Sequence, residues 1–209
     1  MIRLDVDQGS PEWHQARLGI PTASNFSNII TPSTLKPSSS AETYQNKLVA
    51  EWWCGKPEES FVSDAMARGT ELEPIARAAY EFITNKEIDQ TGVIYRDEAR
   101  TVSCSPDGLC GDIGLEIKCP LSGTHVNYLL RSELPAAYLA QVQGSMFVTG
   151  LERWDFCSYH PDFPLLIIEV HACPKFQGAF APLLEKFIEG MLEKRELLTK
   201  MLGPKNEMG

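Results

Sequence analysis

The stretch CSPDGLCGDIGLEIKCP, residues 104–120, gathers three cysteines, three carboxylates and one lysine within seventeen positions. Two chemistries could use such a set. Thiolates at ligand spacing would hold zinc or an iron–sulfur cluster, whereas carboxylates beside a lysine suit a hard divalent cation and an activated water. The six cysteines, at 54, 104, 110, 119, 157 and 173, contain no CxxC pair. Cys104, Cys110 and Cys119 are therefore expected to pack as reduced thiols. On a strand, Glu116 and Lys118 leave one face and Ile117 points into the core on the other. Asp107, on the turn after Pro106, can come beside Glu116. Mg²⁺ or Mn²⁺ is then the expected partner of the two carboxylates, with Lys118 placed to orient or deprotonate a water.

The elements that must position these groups can be read from caps and periodicity. Ser10 and Pro11 start a short helix, PEWHQAR, ended by Gly19 and Pro21, and PTASNFSNII starts another. TPSTLKPSSS reads as a loop. The Ser39–Glu42 spacing predicts a capping box opening a helix with Tyr44, Leu48, Val49 and Trp52 on one face, stopping near Gly55. A further helix over 64–84 should turn Ile75, Ala78, Ala79 and Phe82 inward. The period then changes to two, and TGVIYR, RTVSCS and GLEIKC predict a three-stranded meander with the quoted stretch as its last hairpin. PAAYLAQVQGSMFVTG is expected as a helix closed by Gly150, WDFCSYH and LLIIEV as strands, and the segment from Lys175 to Leu202 as a long terminal helix. This order implies a single α/β domain over 1–209, a mixed sheet flanked by helices.

Composition sets bounds. The 209 residues are 43% hydrophobic, enough for a sizeable core. No basic-then-apolar leader opens the chain and no apolar run approaches the roughly 20 residues that span a bilayer, so a soluble, cytoplasmic protein with no membrane partner is expected. The formal charge of −9 argues against a basic nucleic-acid coat but leaves room for a local basic channel. His14, His125, His160 and His171 match no ligand spacing.

Pro106-Asp107, a short spacer and Glu116-x-Lys118 form the signature of the PD-(D/E)xK nucleases. Together with IYRDEARTVSCSPDGLC, LEIKCP, AYLAQVQGSMFVTG and SPEWHQARLGIPTAS, in this order, it makes the chain resemble the lambda-exonuclease or YqaJ-type viral recombinase family, from about residue 9 to the terminal helix. The resemblance implies a restriction-endonuclease-like core and a Mg²⁺-dependent enzyme degrading one strand of linear double-stranded DNA from its 5′ end. The remaining 3′ overhang would pass to a single-strand annealing partner, in a bacterial or phage-infected cell. It also implies a ring-shaped homotrimer.

The resemblance further implies that Asp107, Glu116 and the backbone carbonyl of Ile117 hold one Mg²⁺, with Asp107 shared by a second ion that Glu73 completes. Lys118 would position the water, and Gln141 would hydrogen-bond near the lysine and the attacked phosphate. Glu73 also reads as a capping-box partner of Thr70, an assignment that Pro74 opposes. Gln141 also reads as a buried structural amide, and Tyr138, one turn earlier, as core packing. Arg17, just before a helix starting around Thr22 and Ser24, forms either an anion site for a 5′-phosphate or an ordinary capped helix with a solvated arginine. The resemblance adds Ser105 to that pocket. Lys36, Lys47 and Arg68 are candidate phosphate contacts or plain surface charge, and Met66 is a candidate wedge between bases or a core residue. Rival readings are another endonuclease or resolvase of the same class, and a binding protein with a degenerate metal site.

Overall fold

Ser10 accepts a hydrogen bond from the Trp13 N–H and Pro11 takes the first helical position, so helix α1 (Pro11–Ala16) begins where the sequence signals it. The computed structural model describes residues 1–58 and 64–204, without the side chains of 64–66. The chain opens on strand β1 (Ile2–Leu4), which sequence patterning does not reveal because three residues are too few to display a period. After α1, residues Ala23–Asn28 form a 3-10 helix in place of the anticipated second helix. The expected loop contains a small hairpin, β2 (Ile30–Thr31) with β3 (Lys36–Pro37). Helix α2 (Ala41–Cys54) buries Tyr44, Leu48 and Val49 as anticipated, leaves Trp52 partly exposed, and ends at Gly55 with a left-handed φ of 69°. Its capping box does not form. Ser40 is the N-cap and its side chain makes no capping bond, while Ser38 Oγ accepts from the Ser40 N–H.

Helix α3 (Asp64–Thr84) carries the largest correction to the sequence reading. Ala76 and Tyr80 are buried, whereas Ile75 is 53% and Phe82 88% exposed. Apolar side chains on two faces of the helix left the choice of face open to tertiary contacts. The choice is made by a polar one: the Tyr80 hydroxyl donates to Asp155 Oδ2 at 2.5 Å, and Lys86 Nζ reaches the same oxygen at 3.0 Å.

The expected three-stranded meander is divided between two sheets. Strands β4 (Val93–Tyr95) and β5 (Ser103–Cys104) join β1 in the order β1-β4-β5. The second sheet contains β6 (Gly108–Cys110) and β7 (Ile113–Lys118), with Gly111 at φ 61° in their turn, followed by β8 (Arg153–Ser158) and β9 (Leu166–His171). Pro106 separates the two sets, since it has no N–H to continue a ladder. β7 and β8 run parallel, from Ile113 opposite Arg153 to Lys118 opposite Ser158, and the other neighbours are antiparallel. The crossover between β7 and β8 holds helix α4 (Ser122–Arg131), not delimited from sequence, and helix α5 (Ala136–Thr149) closed by Gly150 as expected.

Alternation sorts the sheet's two faces. Ile113, Leu115, Ile117 and Cys157 pack against Ala76 and Tyr80 of α3. Trp154 and Phe156 pack against Val142 and Met146 of α5. A third apolar cluster joins the 3-10 helix, α2, α5 and the terminal helix α6 (Pro174–Leu202) around Phe26, Phe180 and Phe187. The mixed sheet with helices on both faces is the architecture expected from the sequence. All six cysteines are free, with Cys104, Cys110 and Cys157 buried in apolar surroundings.

Gly144 marks how closely α5 approaches the 3-10 helix, because a Cβ there would overlap the ring of Phe26. Gly144→Ala should cost about 1–3 kcal/mol by overpacking. Gly123→Ala on α4, where a Cβ meets nothing within 4 Å, should be neutral or stabilising by up to about 1 kcal/mol. Chemical denaturation of the two variants checks the contrast.

Candidate active site

Glu116 and Lys118 project from β7 toward α5, on the face opposite Ile117. Glu116 is 2% exposed, and a carboxylate so buried needs partners. Lys118 Nζ lies 2.5 Å from its Oε1, and Gln141 Nε2 donates to the same oxygen at 2.6 Å. Gln141 therefore faces the site from α5. Gln143 faces elsewhere, donating to the His171 carbonyl and accepting from the Cys173 N–H. Lys118 Nζ also stands 5.3 Å from the Tyr138 ring centroid, so Tyr138 forms part of the wall around the ammonium. Burial pulls the Lys118 pKa down, but Glu116 and Asp107 outweigh it and hold the ammonium charged above its usual range. A group so held orients a water by donating to it.

Asp107 sits where the ladder between β6 and β7 continues past Gly108. Its N–H donates to the Leu115 carbonyl at 3.0 Å, and its Oδ2 accepts from the Ile117 N–H at 2.5 Å. One strand residue's N–H and C=O open on the same edge, so the Ile117 carbonyl lies on the side that Asp107 occupies. Asp107 and Glu116, nine residues apart in sequence across the hairpin, interact strongly. Desolvation first, then the Glu116 charge, raises the Asp107 pKa well above the usual carboxylate range, with Glu73 adding to the effect and Lys118 opposing it.

Glu73 comes from α3, and Thr70 lies inside the same helix, which excludes the capping-box alternative. The Glu73 carboxylate is turned onto Arg77, with Nη2 2.6 Å from Oε1. Arg77 Nε also donates to the Asp107 carbonyl at 3.2 Å. Glu73, Arg77 and Asp107 line a cleft of about 820 Å³ between α3 and residues 5–13. Gln8, on its opposite wall, donates to the Pro106 carbonyl at 2.8 Å. Arg77 and Gln8 thus grip the turn bearing Asp107 from two sides. Neither was singled out from sequence. The i,i+4 spacing of Glu73 and Arg77 was a usable signal, whereas nothing local marks Gln8.

Among the described residues, no three His, Cys, Asp or Glu side chains form a ready cation cage, because Glu73 is held by Arg77 and Lys118 covers Glu116. The donor set still fits a hard cation. Asp107, Glu116 and the Ile117 carbonyl supply oxygen ligands, and two carboxylates stand there beside one lysine.

Around the candidate 5′-phosphate pocket, the Arg17 guanidinium lies 3.7 Å from the Trp13 ring centroid. Trp13 Nε1 in turn donates to Ser105 Oγ at 3.1 Å. Ser24 Oγ is 3.2 Å from Thr22 Oγ1, and Thr22 bridges Ser103 in parallel. Arg17 and Ser105 therefore both contact Trp13, a residue the sequence reading did not single out, whereas Ser24 is tied instead to Thr22 and Asn25. Burial lowers the Arg17 pKa to about 10, and among the described residues no carboxylate stands within salt-bridge distance of it. The short 3-10 helix does not supply the regular helix N-terminus expected beside this arginine.

The outlying candidates divide. Arg68 Nη1 donates to the Cys119 and Pro120 carbonyls, both at 3.1 Å, so it anchors the end of β7. Lys47 lines a second cleft with Arg17, 3.9 Å from Glu51 and 4.0 Å from Glu58. Lys36 is exposed on β3. Met66 belongs to α3, and its side chain lies outside the described residues.

Asp107 raises a stability expectation. A carboxyl whose pKa is raised by folding destabilises the fold progressively as pH rises through that value. Asp107→Asn can keep the acceptor for the Ile117 N–H while removing the charge. In divalent-free buffer at neutral pH it should therefore melt about 2–4 °C higher than wild type, corresponding to roughly 1 kcal/mol. The difference should close in acid, where the wild-type carboxyl is protonated. Melting curves across pH check both sign and closure.

Comparison with known proteins identifies the family and the fold. The YqaJ-like viral recombinase domain model matches residues 12–152, which include Arg17, Glu73, Asp107, Glu116, Lys118 and Gln141. The alkaline exonuclease LHK-Exo from Laribacter hongkongensis superposes with a TM-score of 0.83 at 29% identity, over 92% of this chain and 97% of that one. LHK-Exo in complex with dAMP gives 0.82 at 30% identity, with the same coverage. A phage-related exonuclease from Haemophilus somnus, at 13% identity and TM-score 0.63 over 84% of this chain and 96% of that one, shares the fold. No curated protein sequence matches. Among the described residues no helix is long and apolar enough to cross a membrane. The match over most of the chain, with the catalytic-type residues inside it, places the protein in the YqaJ-like viral recombinase domain family.

Proposed function

We propose that the protein is a Mg²⁺-dependent 5′-to-3′ exonuclease acting on linear double-stranded DNA, releasing mononucleotides and leaving a 3′ single strand for an annealing partner in recombination. The observation that carries this reading is the junction of Asp107, Glu116 and Lys118 at the end of β7, with Gln141 closing it from α5. Two carboxylates and a lysine beside an open cleft suit phosphodiester hydrolysis, and similarity to an alkaline exonuclease supports cleavage from a strand end.

Asp107, Glu116 and the Ile117 carbonyl would hold one Mg²⁺, and Asp107 with Glu73 a second, Mn²⁺ being able to substitute. The cation would stabilise charge on the attacked phosphate and acidify a bound water. Lys118, charged and fixed by Glu116, orients that water toward phosphorus. Gln141 fixes Glu116 from the other side, so that neither carboxylate nor ammonium can swing away. At the cleft beside Trp13, Arg17 presents a partly buried guanidinium, with the Ser105 hydroxyl held by Trp13 and Ser24 tied to Thr22, which lines the same cleft. A terminal phosphate carries more charge than an internal diester and is the anion best matched to such a group. That preference selects the 5′ end and draws the strand forward after each cut.

The activity test is incubation with Mg²⁺ and end-labelled linear duplex. Mononucleotides should appear from the 5′ strand and covalently closed circles should remain intact, whereas nicking of the circles would favour an endonuclease or resolvase. Lys118→Ala should lower the rate by about 10²-fold or more in a chain that still folds but melts lower, because Glu116 loses its buried charge partner. A 5′-phosphorylated duplex should be degraded faster than its 5′-hydroxyl counterpart at fixed salt, and Arg17→Ala should remove most of that difference.

The reading includes assembly as a homotrimer around DNA. Phe82 at 88%, Ile83 at 59% and Ile75 at 53% exposure make α3 an unusually apolar surface for an isolated chain. Light scattering should give three times the chain mass, and Phe82→Glu should lower it. A monomeric mass at working concentration would exclude the ring.

A further inference from the structure

We infer that Arg77 withholds Glu73 from cation binding until an anionic substrate arrives, so that the DNA-free protein binds one divalent cation well and a second poorly. The inference rests on the divalent-cation reading of Asp107 and Glu116 given above. Arg77 spans two elements with one guanidinium. Nη2 holds Glu73 Oε1 at 2.6 Å one turn back along α3, and Nε holds the Asp107 carbonyl at 3.2 Å. The side chains of Arg77 and Glu73 are 13% and 30% exposed, so the pair is shielded and does not exchange freely with water as a surface bridge would.

A cation recruiting Glu73 must first separate this pair. Charge acts in the same direction. Fully ionised, the carboxylates of Asp107, Glu116 and Glu73 stand against Lys118 and Arg77, leaving one net negative charge. One divalent ion reverses that sign, and a second is then repelled at short range. A phosphodiester entering the cleft changes both terms. It adds negative charge, and it offers the guanidinium a planar two-oxygen partner to exchange for Glu73. Arg77 is accordingly a positioning residue acting through Glu73, and the second cation arrives coupled to the substrate it serves.

The test is Mn²⁺ titration of the DNA-free protein, reading free Mn²⁺ by its electron paramagnetic resonance signal, with melting temperature as the fold control. Asp107→Asn should lose the bound ion. Glu73→Gln removes one nearby negative charge and should weaken Mn²⁺ binding no more than roughly five-fold while keeping the one bound ion, because the carboxylate is engaged elsewhere and is not a ligand. Arg77→Met should tighten binding by roughly five-fold or add a second ion. Arg77→Lys, which keeps the charge, should stay near wild type. Loss of the bound ion in Glu73→Gln, or a folded Arg77→Met that binds no better than wild type, would overturn the inference while leaving the metal site intact. If Arg77→Met does not fold, the Glu73→Gln result decides alone. Absence of any wild-type Mn²⁺ binding sensitive to Asp107→Asn would overturn the metal reading and the inference together.

Discussion

A carboxylate at 2% exposure has to be neutralised where it stands, and much of the molecule is arranged around doing this for Glu116. Removing such a charge from water costs several kcal/mol unless opposite charge and hydrogen bonds replace the lost hydration. Lys118 supplies the charge from the same strand face, and Gln141 supplies the hydrogen bond from α5. Both act only if α5 packs on that face of the sheet. Trp154 and Phe156 secure this by giving Val142 and Met146 an apolar floor. Gly114 beneath Trp154 and Gly144 against Phe26 let the layers approach closely, since a Cβ at either would collide with a ring. The polar site and the apolar core are therefore one construction problem.

The opposite side of the sheet solves a second problem, how to bring α3 to a fixed distance from the Asp107 turn. Tyr80 and Lys86 converge on Asp155 inside the sheet layer, which fixes the helix rotation. With that rotation set, Arg77 and Glu73, one and two turns before Tyr80, face the cleft, and Ile75 and Phe82 are left in solvent. Hydrophobicity alone favours the reverse arrangement. The exposed apolar face is thus the counterpart of aiming charged residues at the site, and an assembly covering that face would recover the lost burial.

The cysteines illustrate how composition can mislead when read without geometry. Cys104 and Cys110 flank Asp107 in sequence, yet their side chains lie in apolar clusters on separate sheets. Burial pushes their thiol pKa values up, the direction opposite to that of a metal-binding thiolate. The sulfurs of this stretch fill space in the apolar clusters, apart from the carboxylates that converge on Lys118.

What the sequence determined by itself is mostly local. The Ser-Pro start of α1, the glycine stops of α2 and α5, the strand bearing Glu116-x-Lys118, and the Pro-Asp turn before it each follow from a few adjacent residues, so they are legible without coordinates. Membership of a nuclease-like family followed from the order of such local motifs. The division of one apparent meander into two sheets, the face of α3 that turns inward, and the joint grip of Gln8 and Arg77 on the Asp107 turn were decided only in the tertiary structure. Each depends on partners many residues away: Tyr80 and Asp155 are 75 apart, Gln8 and Pro106 98 apart. No periodicity or cap records such a pairing, because its energy arises only once the intervening chain has folded and excluded water from between the two groups.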